Sequence, residues 1–324
     1  MTTVSKPVLF VSFRPLERAE NLRAAYEAYD GEKVHILSSD PHYRDDVLSG
    51  KYKVMVTDDF PNVSPGKTIV IWHGIQGGKY IGLDQPGHPY FSADNTRLIT
   101  YVISAGTGML NTWSRCTGVS ASRVLPLGMP RTDEYVHYKH EQSDKKTYLY
   151  VPTFRDRFDT PFQSIDWEYI DRYLNDDETL VVKAHPWQSD IGIDQVTKNI
   201  SNGMYKHIVV LSPAGATTPF LYLADVVVTD YSSIMFDAYL LNKPVVLFEK
   251  EHSYASTRGM YLDYPYDYCS YYSTNEASLI DNIRYRARYP FLTEAEKRCL
   301  HIVADRCDGH ACERITQLIH DINK

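Results

Sequence analysis

DVVVTDYSSIMFDAYLLNKPVVLFE, residues 225–249, reads as a strand, a turn, a helix and a second strand. Val226–Val228 form a continuous β-branched run that ends in Thr229-Asp230. Tyr231-Ser232-Ser233 then turns into an amphipathic helix, IMFDAYLL, and the second strand follows in PVVLFE (244–249). Strands apolar on both faces, joined through a helix, belong to a parallel sheet covered on either side. Ser232 is placed to cap the helix, with Ser233 in its first turn. Free N–H groups, two hydroxyls and the helix dipole there would make an anion site at the carboxyl end of a strand. Asp237 lies five residues further and could hold a ligand hydroxyl. The plainer alternative is that Ser232 only caps the helix and Asp237 is solvated.

The same alternation extends in both directions. Strands are expected at 7–13, 33–37, 53–58, 68–74, 98–104 and 123–128, with helices over 15–29 and 107–118. MPRTDEYVHYKHEQSDKK (129–146) loses the apolar period. Strands then resume at 147–153, 179–186, 207–212, 225–230 and 244–249, and the tail from about 276 is all helix pattern. The expected fold is therefore α/β, with two doubly wound Rossmann-type domains facing across a cleft and a helical C-terminal tail. The expected boundaries are 1–130 for the first domain, 131–146 for a linker and 147–324 for the second, with the last helices able to cross back.

A chain of 324 residues with 43% hydrophobic content supports two cores. Its net charge of −7, with no Lys/Arg block, argues against nucleic acid as the partner. No apolar run reaches the roughly 18–20 residues of a membrane span, and the opening MTTVSKPVLFVSF is too short for a secretory signal. Cys116, Cys269, Cys299, Cys307 and Cys312 lack framework spacing, so a reducing cytoplasm is expected.

Three further segments carry chemistry. WHGIQGGKYIGLD (72–84) presents His73 at a strand end, beside Gly74, Gly77, Gly78 and Lys79, where backbone could approach a ligand closely. An imidazole there could take a proton from an attacking alcohol, though a histidine at a strand end is often structural; Trp72 reads as core. VVKAHPW (181–187) puts Lys183 and His185 two apart, on one side of a strand if both lie within it, where they could neutralise a transferring phosphate. VPTFRDRF (151–158) places Arg155 past another strand, suited to phosphate oxygens or to a surface ion pair with Asp156 or Asp159. CLHIVADRCDGHACERI (299–315) has no CxxC pair, so no metal site is expected, and Walker, GxGxxG and GxSxG patterns are missing.

Taken in order, several stretches resemble the CDP-glycerol glycerophosphotransferase family of teichoic-acid and capsule polymer synthesis. They are WHGIQGGKYIGLD, ISAGTGMLNTW, VLPLGMPRTDEY, YVPTFRD, KAHP, VTDYSSIMFDAYLLNKPVV, RGMYLDY and DGHACERI. The resemblance implies a GT-B architecture with the nucleotide held mainly by the second domain. It implies His73 as general base, His185 as an assistant at the phosphate and Asp237 in a substrate role. Thr229, Asp230, Ser232 and Ser233, with Lys183, Arg155 and Arg258, are the implied donor-binding set. The donor implied is CDP-glycerol or a related CDP-polyol, with no tightly bound cofactor. The acceptor implied is lipid-linked or an oligosaccharide, reached from the cytoplasm with peripheral association at the inner membrane face.

This chain departs from the family where Lys183 replaces an arginine, where Lys79 is the loop's one lysine, and where YDYCSYY replaces an acidic stretch. Its length leads to the expectation that one or a few units are added. The rival readings are a GT-B glycosyltransferase or epimerase using a UDP-sugar, and a non-catalytic relative that binds nucleotide or polymer.

Overall fold

Runs of β-branched and aliphatic residues form the centres of two sheets in the computed structural model. It describes residues 6–85, 92–139, 143–153, 162–185, 191–213, 215–250 and 258–324. The chain folds as two units, Met1–His137 with Leu300–Lys324, and Tyr138–Cys299. In the first, strands β1 (Val8–Ser12), β2 (Lys33–Leu37), β3 (Val54–Thr57), β4 (Lys67–Ile71), β5 (Tyr101–Ser104) and β6 (Val124–Pro126) lie in the order β2-β1-β3-β4-β5-β6. Every pair is parallel, and Leu9 stands opposite both Val34 and Met55. All five residues of β1 are buried, as a central strand covered on both faces requires.

The second unit repeats the plan. Its strands β7 (Lys146–Tyr150), β8 (Glu178–Lys183), β9 (Ile208–Leu211), β10 (Val226–Thr229), β11 (Val245–Phe248) and β12 (Tyr272–Ser273) run in the order β12-β11-β10-β7-β8-β9. All are parallel, with Val227 opposite Leu149 and Val245. In both sheets the winding reverses between two adjacent strands, β1 and β3 in one, β7 and β10 in the other. Open α/β sheets bind ligands at the carboxyl ends of strands beside such a reversal.

The helix 234–240 closes with Asn242 at φ 54°. Asn242 N–H donates to the Tyr239 carbonyl and Lys243 N–H to that of Ala238, the paired bonds of a left-handed helix stop. Lys243 then turns inward, and its ammonium donates to the carbonyls of Tyr222 and Ala224. Burial pulls its pKa down to about 8.

Several elements differ from expectation. The helix expected from residue 15 starts at Glu20, after a short 3-10 turn at Leu16–Arg18, because the Ala19 backbone, at φ −92° and ψ 59°, leaves the α path between them. The polar stretch after residue 129 contains a 3-10 run, Pro130–His137, that falls within the first unit. The tail is preceded by β12, and its helices are 276–288, 294–304 and 311–322. Residues from Leu300 onward are part of the first unit. Among the described residues no helix is long and apolar enough to cross a membrane.

Close approach explains how the returning segment is held. Gly128 sits at φ 87°, and a Cβ there would lie 2.2 Å from the Arg306 carbonyl oxygen and 3.0 Å from Ala311 Cβ. Asp133 accepts from the N–H groups of Ala311 (2.9 Å) and Cys312 (2.7 Å), the first residues of the final helix. Arg314 donates to the carbonyls of Leu127 and Arg306 and pairs with Asp308, whose carboxyl it holds down at about 2.

At the reversal of the first sheet, Asp58 follows β3 and accepts from Phe13 N–H, just past β1, at 3.1 Å. Asp58 is 3% exposed, and burial pushes its pKa up to about 6; the neighbouring Asp59 carboxylate adds to this, while Phe13 N–H and Arg14 oppose it.

Two outcomes follow. Gly128→Ala forces an L residue into a left-handed conformation against a backbone oxygen, and is expected to lower unfolding free energy by more than about 1 kcal/mol in denaturant melts. Asp58 favours the folded state fully below its unfolded pKa, and that contribution disappears as pH rises through its folded value. Asp58→Asn keeps an acceptor for Phe13 N–H but cannot ionise. Between about pH 4 and pH 7 the variant should therefore gain roughly 2–3 kcal/mol on the natural protein. A pH-independent difference would remove the assignment.

Candidate active site

The residues singled out in the sequence separate into two groups, one in each unit. In the first, β4 ends at Ile71 and the chain continues through Trp72 to His73, which is exposed. Trp72 is half-buried, not wholly core as expected, because one of its ring neighbours is the exposed His73 imidazole, tilted 35° to it. Its ring lies 4.8 Å from Phe60, 6.3 Å from Trp113 and 4.3 Å from the His73 imidazole. Asn21 Nδ2 donates to the Trp72 carbonyl at 2.9 Å, and an Arg131 guanidinium N–H donates to the His73 carbonyl at 2.6 Å.

The loop that follows is folded back on itself. Gly74, Gly77 and Gly78 are buried, Lys79 is half-buried, and the Gln76 amide donates to the Lys79 carbonyl at 3.0 Å. Gly82 at φ 55° lets the loop lie on the helix 110–117: a Cβ there would be 2.2 Å from the Cys116 carbonyl oxygen.

In the second unit, the ends of β10, β7 and β8 lie side by side. Thr229 is fully buried, and its hydroxyl donates to the Val151 carbonyl at 2.6 Å, so it ties β10 to the residue after β7. Asp230, 1% exposed, accepts through Oδ1 from Thr153 N–H (2.8 Å) and Tyr231 N–H (2.6 Å). That second bond holds the turn one residue longer than expected. The helix starts at Ile234, so Ser233 takes the capping position and Ser232 precedes it.

Ser232 Oγ lies 3.4 Å from Ile234 N–H, and the Ser233 side chain makes no capping bond; both serines are half-buried. Asp237 is 1% exposed, which removes the alternative of a solvated carboxylate.

Lys183 is the last residue of β8 and His185 lies past its end, so the two are not both within the strand. Lys183 is 2% exposed, and its ammonium donates to the carbonyls of Ser212 (3.4 Å) and Pro213 (3.2 Å) after β9. His185 and Arg258 are half-buried. Arg155 lies outside the described residues.

Sequence reading passed over a third cluster at these strand ends. Glu249, just past β11 and 4% exposed, accepts from the Tyr272 hydroxyl at 3.2 Å. The Tyr264 ring stands 4.8 Å from that of Tyr231. Burial first, and then the Glu249 carboxylate, push the phenols of Tyr264 and Tyr272 well up. The signal was the tyrosine-rich run YPYDYCSYY (264–272), which reads as mere substitution of an acidic stretch until β12 folds it beside β11. Among the described residues no group of three or more His, Cys, Asp or Glu side chains could hold a metal ion.

Comparison with known proteins supplies the context for these groups. The chain is 28% identical over 299 residues to a teichoic acid poly(ribitol-phosphate) polymerase of Bacillus spizizenii, which covers 82% of this chain and 46% of the relative. It is 28% identical over 242 residues to a teichoic acid glycerol-phosphate primase of Bacillus subtilis, covering 65% and 60%. The chain thus spans about half the length of curated relatives it matches.

Among solved structures, the wall teichoic acid polymerase TagF, in a variant soaked with CDPG, superposes with a TM-score of 0.76 at 20% identity, over 98% of this chain and 89% of that one. An S. aureus MnaA–UDP structure gives 0.64 at 14% identity, over 98% and 97%. These likenesses establish a GT-B-like α/β fold. The match that fixes kinship is to the family itself: over residues 6–321 the chain belongs to the CDP-Glycerol:Poly(glycerophosphate) glycerophosphotransferase family.

Proposed function

We propose that this chain transfers glycerol phosphate, or a related polyol phosphate, from a CDP-activated donor to the hydroxyl of a cell-surface polymer acceptor, releasing CMP. The observation that carries this reading is the family match through both units, which takes in His73 and the buried Asp237 alike. The related polymerase and primase are named for ribitol phosphate and glycerol phosphate, so either polyol suits the donor. The expected setting is the cytoplasm, at the inner membrane face if the acceptor is lipid-linked.

The second unit holds the donor. Ser232 and Ser233 offer hydroxyls at the reversal point between β7 and β10, and His185 and Arg258 offer polar groups for the pyrophosphate. Thr229, Asp230 and Lys183 act one step back, since their side chains hold the loops at those strand ends. Asp237 orients a donor hydroxyl. His73 of the first unit takes the proton from the acceptor hydroxyl as its oxygen attacks the β-phosphorus. The bond from that phosphorus to the bridging oxygen breaks, and CMP leaves with the electron pair. Position and electrostatics supply the acceleration in chemistry of this kind.

The test is CMP release from CDP-glycerol and CDP-ribitol with polymer-linked or disaccharide acceptors, run beside His73→Ala. One donor should be consumed, and His73→Ala should lower turnover by roughly 10²–10⁴-fold. Undiminished turnover in the variant would exclude His73 as the base. No release from either donor, with tight binding of a UDP-sugar, would replace the reading with a glycosyltransferase or epimerase.

A further inference from the structure

The peptide that carries His73 lies beyond the paired residues of its strand. The ladder between β4 and β5 ends at Ile71 opposite Ile103, and Trp72 and His73 follow it. Two side chains from distant parts of the first unit hold the carbonyls on either side of the His73 nitrogen and α-carbon. Asn21, in the first turn of the helix 20–28 and 1% exposed, donates to the Trp72 carbonyl. Arg131, in the Pro130–His137 run, donates to the His73 carbonyl.

The two holders are themselves joined. Arg131 N–H donates to Asn21 Oδ1 at 3.2 Å, and the Arg131 guanidinium stands 3.9 Å from the Glu20 carboxylate. The Asn21 amide is thus used at both ends, donor to one partner and acceptor from the other, which no apolar or singly polar residue of its size reproduces. Arg131 is anchored in turn, since Thr132 caps the Met129 carbonyl and Asp133 holds the start of the final helix. An imidazole on an exposed turn swings with its backbone. Fixing both neighbouring carbonyls fixes the direction of its Cα–Cβ bond relative to the sheet.

We propose that Asn21 and Arg131 are positioning residues that aim the His73 imidazole at the acceptor hydroxyl, a role that rests on His73 being the base. Displacement of a reacting group by about 1 Å can cost on the order of 10²-fold in rate. The effect therefore belongs in turnover, with binding of the donor by the second unit untouched.

The experiment compares steady-state kinetics and pH profiles of the full chain with Asn21→Leu, Arg131→Met, Arg131→Lys and His73→Ala. Asn21→Leu and Arg131→Met should lower kcat by about 10–100-fold, leave the donor KM within about twofold, and leave the acidic limb of the profile at its original pH. Arg131→Lys, which can still donate to the His73 carbonyl, should recover most of the loss. If Asn21→Leu does not fold, the two Arg131 variants carry the test.

Natural kcat in Arg131→Met, beside an inactive His73→Ala, would overturn the positioning role and leave the base intact. Full activity in His73→Ala would instead remove the base, and this role with it. Equal losses in Arg131→Met and Arg131→Lys, with donor KM rising in step, would reduce Asn21 and Arg131 to ordinary structural support.

Discussion

One carboxylate-to-amide hydrogen bond, made once in each sheet, sets the ground on which the polar groups stand. Asp58 reaches from the end of β3 to Phe13 N–H beyond β1, and Asp230 from the end of β10 to Thr153 N–H beyond β7. In both places neighbouring strands part because the winding reverses, and the backbone loses the partner that a continuing ladder would supply. A charged acceptor replaces it with a bond about twice as strong as a neutral one. The cost is visible in Asp58, whose burial raises its pKa.

That duplication was written in the sequence: VMVTD (54–58) and VVVTD (226–230) are the same strand ending. Only the second draws attention on reading, since the serine-rich turn after it points to a ligand, whereas DFPN after the first does not. Periodicity and β-branched runs located the strands of both sheets, β12 excepted, because side-chain pattern follows directly from burial on two faces. Helix starts shifted by residues whose side chains act on the backbone locally, Asp230 being the case in point.

The candidate site was legible only in part. His73, Asp237 and the two serines stand out by type and by place after a strand. Asn21 and Arg131 do not, because nothing local in ERAENLR or GMPRTDEY tells that their side chains reach the turn after β4. Long-range hydrogen bonds of this sort leave no period and no spacing. The tyrosines of 264–272 were hidden for the same reason, since their partner Glu249 is supplied by another strand.

The return of residues 300–324 to the first unit has a consequence in time. A ribosome delivers the chain in order, so β1 to β6 emerge, then the whole second unit, and only afterwards the segment that carries Arg306, Ala311 and Arg314. Until then Asp133 has no helix start to hold and Gly128 no carbonyl to rest against. The nascent first unit must therefore wait, with part of its apolar surface uncovered, while well over a hundred residues are synthesised. Completion of the first unit is tied in this way to synthesis of the whole second unit, because the segment that closes the first is made last.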